Sequence, residues 1–535
     1  MIASPLALRA AVAALLALVA AAAAPGAARA QAIRLSAAVP WYARHETTPV
    51  VITAGGVDAQ GVVVEARCGD DVGRATIDVS ATTTTRTTVL VPASIGYLGS
   101  CSASVRWRDP GDVERVATAP FRGKEGASVI VVDPPADLDD TSEYRLAGVT
   151  IADLPDRWQG YPTSLALVVD GAAAARLSAA QREAIARFTV AGGRLFTSGD
   201  DASLRAAGAL PTAHADDRQL AVRAALDDLD SRSQSDELPS LGVPGTNVVP
   251  VGGFLVLVLL FAVLAGPLNL WWVIKRRRRR ALFLVTTPLL SFATCLLLIG
   301  FNLASEGLDA KRVATQLTWL DSARHEAFTW DALTLYTAFG ESELRAPAEA
   351  NVRATLETYD LSEGEYIDAD VISAVDSGRR VTWSGAEQIL GGGWVPARRS
   401  AHLVVATPRA ERRRLLVHPA GSAGFELENG LDVALADITW IDGGGTEWVA
   451  AGAGPGERVP LTLYGPRRTR LAPSDVVRAG PGAERAWRRA QEPLHVRATL
   501  AAPLTPLPGP SAEDVEPTAA VLIGPLAPTT AEATP

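Results

Sequence analysis

VGGFLVLVLLFAVLAGPLNLWWVI occupies residues 251–274, KRRRRR follows at 275–280, and ALFLVTTPLLSFATCLLLIGFNLA fills 281–304. Each apolar run is 24 residues long and contains no Asp, Glu, Lys or Arg. About 20 apolar residues suffice to cross a bilayer as a helix, so the pattern predicts two transmembrane helices, 251–274 and 281–304, joined by a cytoplasmic basic loop. Lys275, Arg276, Arg277, Arg278, Arg279 and Arg280 are the expected topology determinants, because cations in a short loop hold it on the cytoplasmic side. The flanking regions would then both lie outside the cytoplasm, in a multi-pass protein with membrane lipids as partners. Trp271 and Trp272 stand where aromatic rings favour the headgroup layer. Pro267 and Pro288 are expected to kink the helices by removing a backbone donor. Asn269, Thr286, Thr287, Ser291, Thr294 and Asn302 can hydrogen-bond across the hairpin. No ionisable group sits mid-run, where a transport path would want one. A basic run caught between two apolar runs does not read as a nucleic-acid patch.

The rest of the chain is bounded by its length, charge and cysteines. Its 535 residues leave room for three or four domains, at roughly 100–200 residues each. The net charge is −9 although the loop alone contributes +6, so everything else sums to −15. An acidic surface argues against a polyanion such as nucleic acid as partner. Residues 1–30 read as a signal peptide, with Arg9 before an apolar run and a small-x-small site at Ala28-Arg29-Ala30. Left uncleaved, this segment would add a third anchor without changing the orientation downstream. Of the three cysteines, Cys295 lies in the second apolar run. Cys68 and Cys101 share the first exported region, where an oxidising compartment makes them a disulfide candidate.

Residues 31–125 read as a β-sandwich-like domain. VVITA, GVVVEARC, ATIDVSATTTTRTTVLVP and CSASVRW are β-branched runs broken by turn residues. Asp78-Val79-Ser80-Ala81-Thr82 mimics a metal motif of von Willebrand-type domains, but no buried strand precedes it, and it reads as exposed strand. Residues 127–215 change grammar. SVIVVD, GVTIAD, SLALVVD and RLFTS alternate with helical segments. Ser178-x-x-Gln181 is a capping box, and Gly192-Gly193 ends the helix it opens. This is the pattern of a parallel sheet with right-handed crossovers.

Asp153-Leu154-Pro155-x-x-Trp158-x-x-Tyr161, the strand to Asp170, Leu177-Ser178-x-x-Gln181 and Ala191-Gly192-Gly193-x-Leu195 resemble the amidotransferase-like (flavodoxin-like) domain of a bacterial inner-membrane family. Gly266-Pro267-Leu268-Asn269, the basic loop and Pro288 extend the resemblance to the hairpin. That family is often associated with MoxR-type ATPases and von Willebrand-domain membrane proteins. The resemblance implies a multi-pass inner-membrane location with both large regions periplasmic. True class I amidotransferases carry a nucleophilic Cys at a tight strand-to-helix turn. Here the turn is Asp170-Gly171-Ala172, so the resemblance implies the scaffold without the chemistry, and it transfers no catalytic residue and no cofactor.

Ligands of open α/β sheets bind beyond the carboxyl ends of the strands. Asp133, Asp153, Asp170, Asp200 and Asp201 all fall there and are weak candidates for a metal site, although Asp is common in such turns because it caps them. His214 lies just beyond and reads as a surface residue. Residues 216–250 form a linker with one short polar helix. Residues 312–465 return to β grammar, with VATQLTWL and FTWDALTLY alternating at period two and a hairpin turn at Asp442-Gly443-Gly444-Gly445. Trp319, Trp330, Trp383, Trp394, Trp440 and Trp448 would suit either a core or a stacking platform for sugars. His325, His402, His418 and His495 lack metal-ligand spacing. Residues 466–535 read as a Pro/Ala-rich, largely disordered tail, to which VLIGPL can add one strand. The expected architecture is thus a β-sandwich, a flavodoxin-like α/β domain, two transmembrane helices and a second β-rich domain. The expected function is non-enzymatic: a membrane-anchored envelope protein that binds or scaffolds protein partners. An accessory role in polysaccharide export with a carbohydrate ligand is the alternative, and a hydrolase the weaker one.

Overall fold

The computed structural model describes residues 33–41, 47–69, 71–92, 101–109, 112–121, 129–134, 146–161, 166–199, 202–209, 211, 213–216, 218–230, 243, 251–272, 275, 283–306, 310–355, 379–421, 424–463, 481–504, 513–514 and 519–526. The expected signal peptide therefore lies outside the described residues.

The chain opens with seven strands: β1 (Arg34–Ala38), β2 (Thr48–Gly55), β3 (Ala59–Cys68), β4 (Asp71–Val79), β5 (Thr85–Val91), β6 (Cys101–Arg108) and β7 (Glu114–Phe121). One layer pairs β1-β2-β5, the other β4-β3-β6-β7. Side chains alternate across a strand, and β6 shows it cleanly, burying Cys101, Ala103 and Val105 against Val50, Ile52, Val64 and Val89. Cys68 and Cys101 are cross-strand partners and form a disulfide. Asp78, in the motif with a metal-site look, accepts the Gly61 N–H at 2.9 Å as a turn residue does.

Strands β8 (Val129–Val132), β9 (Leu146–Val149), β10 (Ala166–Asp170), β11 (Arg194–Ser198) and β12 (Ala213–Ala215) build an all-parallel sheet in the order β9-β8-β10-β11-β12. Numbered within the sheet this is 2-1-3-4-5, a doubly wound order whose switch point lies between β8 and β10. Both faces are covered, which is why the strands read as continuous apolar runs. Ile130, Val132, Leu167 and Val169 face the helix Ala179–Val190. Val129, Val131, Ala166 and Val168 face the helix Arg218–Asp230. The Ser178–Gln181 capping box forms with both of its hydrogen bonds.

After the apolar segment, fifteen further strands follow: β13 (Lys311–Asp321), β14 (Glu326–Tyr336), β15 (Glu341–Pro347), β16 (Asn351–Thr355), β17 (Arg380–Ser384), β18 (Glu387–Val395), β19 (Ser400–Ala410), β20 (Leu415–Ala420), β21 (Gly424–Asn429), β22 (Leu435–Ile441), β23 (Glu447–Ala453), β24 (Arg458–Leu463), β25 (His495–Leu500), β26 (Glu513–Asp514) and β27 (Ala519–Pro525). Most join one twelve-stranded sheet, β16-β19-β14-β13-β27-β25-β22-β23-β24-β21-β20, with β26 also on β13.

The expected architecture is corrected on three points. First, the 251–274 run does not stay one straight helix. Val251–Val263 gives way at Gly266-Pro267 to a π-helical turn, Leu264–Leu268, and then to the short turn Asn269–Trp271. Thirteen residues reach ~20 Å at 1.5 Å per residue, against a hydrocarbon core of ~30 Å. The second run forms Phe283–Glu306 around Pro288. Among the described residues no helix is long and apolar enough to cross a membrane, which corrects the expected pair of transmembrane helices and the multi-pass inner-membrane location. Lys275 lies over the Trp271 ring at 5.4 Å, while Arg276 to Arg280 lie outside the described residues.

Second, the two β regions are not separate domains. β17 pairs in parallel with β4, so the sheet β15-β18-β17-β4-β3-β6-β7 runs through both. Third, residues 466–535 are not a bare tail. They supply the helix Pro481–Arg489 and β25, and all of VLIGPL but Leu526 falls in β27, whose parallel pairing with β13 joins the two halves of the large sheet.

Candidate functional site

The switch point is where a doubly wound sheet offers a ligand crevice, and two of the five candidate carboxylates flank it. Asp133 follows β8 and Asp170 ends β10. Both are committed to partners within the chain. Asp133 adopts a left-handed backbone (φ 46°), which Asp tolerates better than most residues. Its Oδ1 accepts the Ile151 N–H at 3.1 Å, and its Oδ2 meets the Arg176 guanidinium at 2.7 Å. Asp170 caps the helix Gly171–Arg176, accepting the Ala173 N–H at 2.6 Å. Its other oxygen pairs with Arg218. Arg218 also donates to the Asp133 carbonyl at 3.0 Å, so one guanidinium bridges the crevice from wall to wall. Asp153 accepts from the Thr150 hydroxyl at 2.7 Å. Asp200 and Asp201 lie outside the described residues. His214 contacts Thr197 across β12 and β11. Among the described residues no group of three or more His, Cys, Asp or Glu side chains is placed to hold a metal ion.

Arg176 and Arg218 are the residues that sequence reading missed. Arg176 ends its helix, and Arg218 opens a short polar helix more than forty residues after Asp170. No spacing rule links them to the carboxylates they neutralise. The crevice is consequently an ion-pair cluster, half-buried at Arg218 and open to solvent at Arg176. A cation entering it would have to displace two arginines, and a nucleophile is lacking at the Asp170-Gly171 turn.

The stretch 150–161, which carried the family resemblance, serves the frame instead. Trp158 donates its indole N–H to the Glu349 carbonyl at 3.0 Å and packs edge-on against Phe328. Gln159 donates to the Ala348 carbonyl at 2.9 Å. Trp41 and Thr47, between β1 and β2, donate to the carbonyls of Gly160 and Gln159. Arg86 donates to the Leu154 carbonyl, and Thr88 pairs with Asp156. Gln181 donates to the Ile151 carbonyl at 2.7 Å. Tyr161 donates to the Pro155 carbonyl at 2.8 Å, and its burial pushes the phenol far above its ordinary range. A dozen residues thereby tie the first β layer, the parallel sheet and the large β sheet into one core.

The six tryptophans offered as a stacking platform are all buried: Trp319, Trp330, Trp383, Trp394, Trp440 and Trp448. Trp330 donates to the Ala191 carbonyl, Trp440 to that of Leu526, and Trp448 to the Asp442 carboxylate. They are core residues and present no ring face to a sugar.

The two apolar helices behave in the opposite way. Asn269 bridges them, donating to the Thr287 hydroxyl at 3.2 Å and accepting from Thr286 at 3.0 Å. Around that polar tie, Leu255, Val256, Leu259, Leu260, Phe292 and Leu296 point outward and are exposed.

No family model matches the chain, and no curated protein matches it. Among solved structures, one similar chain is the yeast delta-COP-I mu-homology domain complexed with the Dsl1 WxWxV peptide, at 11% identity over 41% of this chain and 95% of that one. The TM-score is 0.17, and a likeness at that level carries no argument about fold or function.

Proposed function

We propose that the chain is a non-enzymatic protein that binds or scaffolds protein partners, with the outward face of the helices Val251–Val263 and Phe283–Glu306 as the surface a partner covers. The observation that carries this reading is the exposed apolar array on those helices. Exposed contiguous apolar surface beyond a few hundred Å² marks an interaction site, because water is held against it at a cost. The Asn269–Thr286–Thr287 tie gives the array a fixed geometry. The non-enzymatic half is supported by the switch point, whose carboxylates are spent on Arg176, Arg218 and a helix cap.

A photo-crosslinking residue placed at Leu259 and at Phe292 of the full chain tests the reading, with Arg115 on β7 as the comparison position. Discrete protein adducts are expected from the two helix positions and not from Arg115. No adduct at either helix position would sink the proposal. So would transfer of these side chains into protein-free lipid vesicles, which would make lipid the covering phase.

A further inference from the structure

Four polar side chains sit inside the large sheet between two apolar clusters. Gln316 and Asp331 are cross-strand partners on β13 and β14, and Thr318 and Thr329 are the next pair on the same face. All four are at most 1% exposed. Along this face the apolar neighbours Ala314, Leu333 and Leu335 belong to one cluster, and Leu320 and Ala327 to another. The Gln316 amide relays through the set. Its Nε2 donates to Asp331 Oδ1 at 2.8 Å, and its Oε1 accepts the Leu504 N–H at 2.9 Å. Thr318 and Thr329 face each other at 3.4 Å. Leu504 follows β25 and precedes β27, the strand whose pairing with β13 joins the halves of the sheet. The relay therefore connects a buried carboxyl to the segment that closes the fold.

We propose that Asp331 is a proton-linked latch: its carboxyl stays protonated in the closed fold, and loss of that proton loosens the closing segment around Leu504. A buried carboxylate with a single amide donor lacks the hydration it would have in water, and its charged form is strongly disfavoured. On this face of β13, β14 and β19 the charged residues are Arg312 and Arg409, at the far ends of the register. Arg409 is already paired with Glu411. The short segment 501–504 that covers the relay brings only Ala, Ala, Pro and Leu. Burial raises the Asp331 carboxyl to about 7, opposed by the Gln316 hydrogen bond and, among the described residues, assisted by no neighbouring charge. Because the pKa in the folded state is above the ordinary carboxylate value, the fold holds a proton that the opened state releases. The stabilisation is complete at low pH, falls as pH rises towards 7, and changes no further above it. The simplest relief for the charged form is admission of water, and the Leu504 cover is the nearest gate.

Hydrogen exchange of the full-length protein between pH 5 and 8.5, corrected for intrinsic rates, tests this in peptides spanning 495–504 and 519–526. Protection in wild type is expected to fall by about tenfold per pH unit up to about 7, the slope of one released proton, and then to level off. Asp331→Asn keeps the acceptor for Gln316 and cannot ionise, so its protection should be flat over the same range. Equal slopes in the two proteins would overturn the proposal. Infrared difference spectra of wild type alone give a second measure that needs no variant. A protonated-carboxyl band at pH 5.5 that titrates away near 7 is expected, and its absence at pH 5.5 would overturn the proposal even if Asp331→Asn failed to fold.

Discussion

The stretch 154–161 and the helices Val251–Val263 and Phe283–Glu306 are both rich in large apolar side chains, and the molecule uses them in opposite senses. Leu154, Trp158 and Tyr161 are buried, and every donor among Trp158, Gln159 and Tyr161 finds a carbonyl. Leu259 and Phe292 are 68% and 63% exposed and find nothing inside the fold. Hydrophobicity alone does not separate the two cases. What separates them is whether polar partners from other elements arrive at the same place. At 154–161 they come from β5, from Gln181 of the helix Ala179–Val190, which reaches the Leu154 carbonyl, and from the turn between β15 and β16. At the hairpin a single asparagine side chain, Asn269, ties one apolar segment to the other through Thr286 and Thr287. The first stretch is frame, and the second is an exposed apolar face.

Removing a frame residue should therefore be the most damaging change. Trp158→Ala deletes a buried ring, its edge contact with Phe328 and the donor to Glu349. Large aromatic truncations in cores cost about 3–5 kcal/mol. Chemical denaturation followed by fluorescence should show a loss of that size, with the parallel sheet and the large sheet no longer unfolding together. A loss under ~1 kcal/mol would mean the junction is decoration and the contrast fails.

The next test concerns a covalent tie. The Cys68–Cys101 bond closes a loop with a sequence separation of 33, for which chain-entropy arguments give about 3–4 kcal/mol. The double change Cys68→Ser with Cys101→Ser should lower the denaturation midpoint of the first β layers. Because β4 carries β17, the same change should weaken the seven-stranded sheet beyond the N-terminal region. An effect confined to residues 33–121 would show the shared sheet to be two loosely joined pieces.

Glu411 supplies a smaller and pH-dependent case. Its carboxylate is 6% exposed and meets Arg409 at 2.7 Å and Arg413 at 2.6 Å. The hydrogen bond from Arg413, chiefly, holds it below the ordinary carboxylate range against the opposing effect of burial. A depressed value in the folded state means stability that is present above the unfolded value and lost as pH falls through the folded one. Glu411→Gln should cost about 1–3 kcal/mol at pH 7 and should flatten the acid limb of a stability–pH curve. Asp331 has the opposite sign, so the pair offers an internal control: acid should strengthen one region while weakening the other.

Much of the parallel sheet was legible in the sequence for physical reasons. Strands buried on both faces have to be apolar throughout, and SLALVVD shows it. A capping box announces itself in two letters, Ser178 and Gln181. Cys68 and Cys101 are readable because few cysteines compete for pairing. The shared sheet was not legible. Asp71 accepts the Arg379 N–H across 308 positions, and no local signal spans that distance. Arg218 was missed at the switch point for the same reason. The hairpin misled differently: window hydropathy counts apolar residues but does not register that Gly266-Pro267 redirects the helix through a π turn. Asp331 hid inside a clean period-two strand, because alternation predicts one wet face, whereas β14 has both faces covered.

The last test returns to the hairpin and predicts the smallest change in stability. Leu259→Ser with Phe292→Ser replaces side chains that are mostly in water already. Exposed substitutions away from caps and networks stay within about 0.5 kcal/mol, and neither residue touches the Asn269 tie. The double variant should therefore melt with wild type, whereas Trp158→Ala does not. Under the proposed function the same variant should lose the protein adducts formed through a crosslinker at Leu255. If stability instead falls by more than ~1 kcal/mol, these side chains have internal partners in solution, and the opposition between frame and surface is wrong. If stability holds and crosslinking through Leu255 persists undiminished, the outward face is not where a partner rests, and the binding function belongs to another part of the chain.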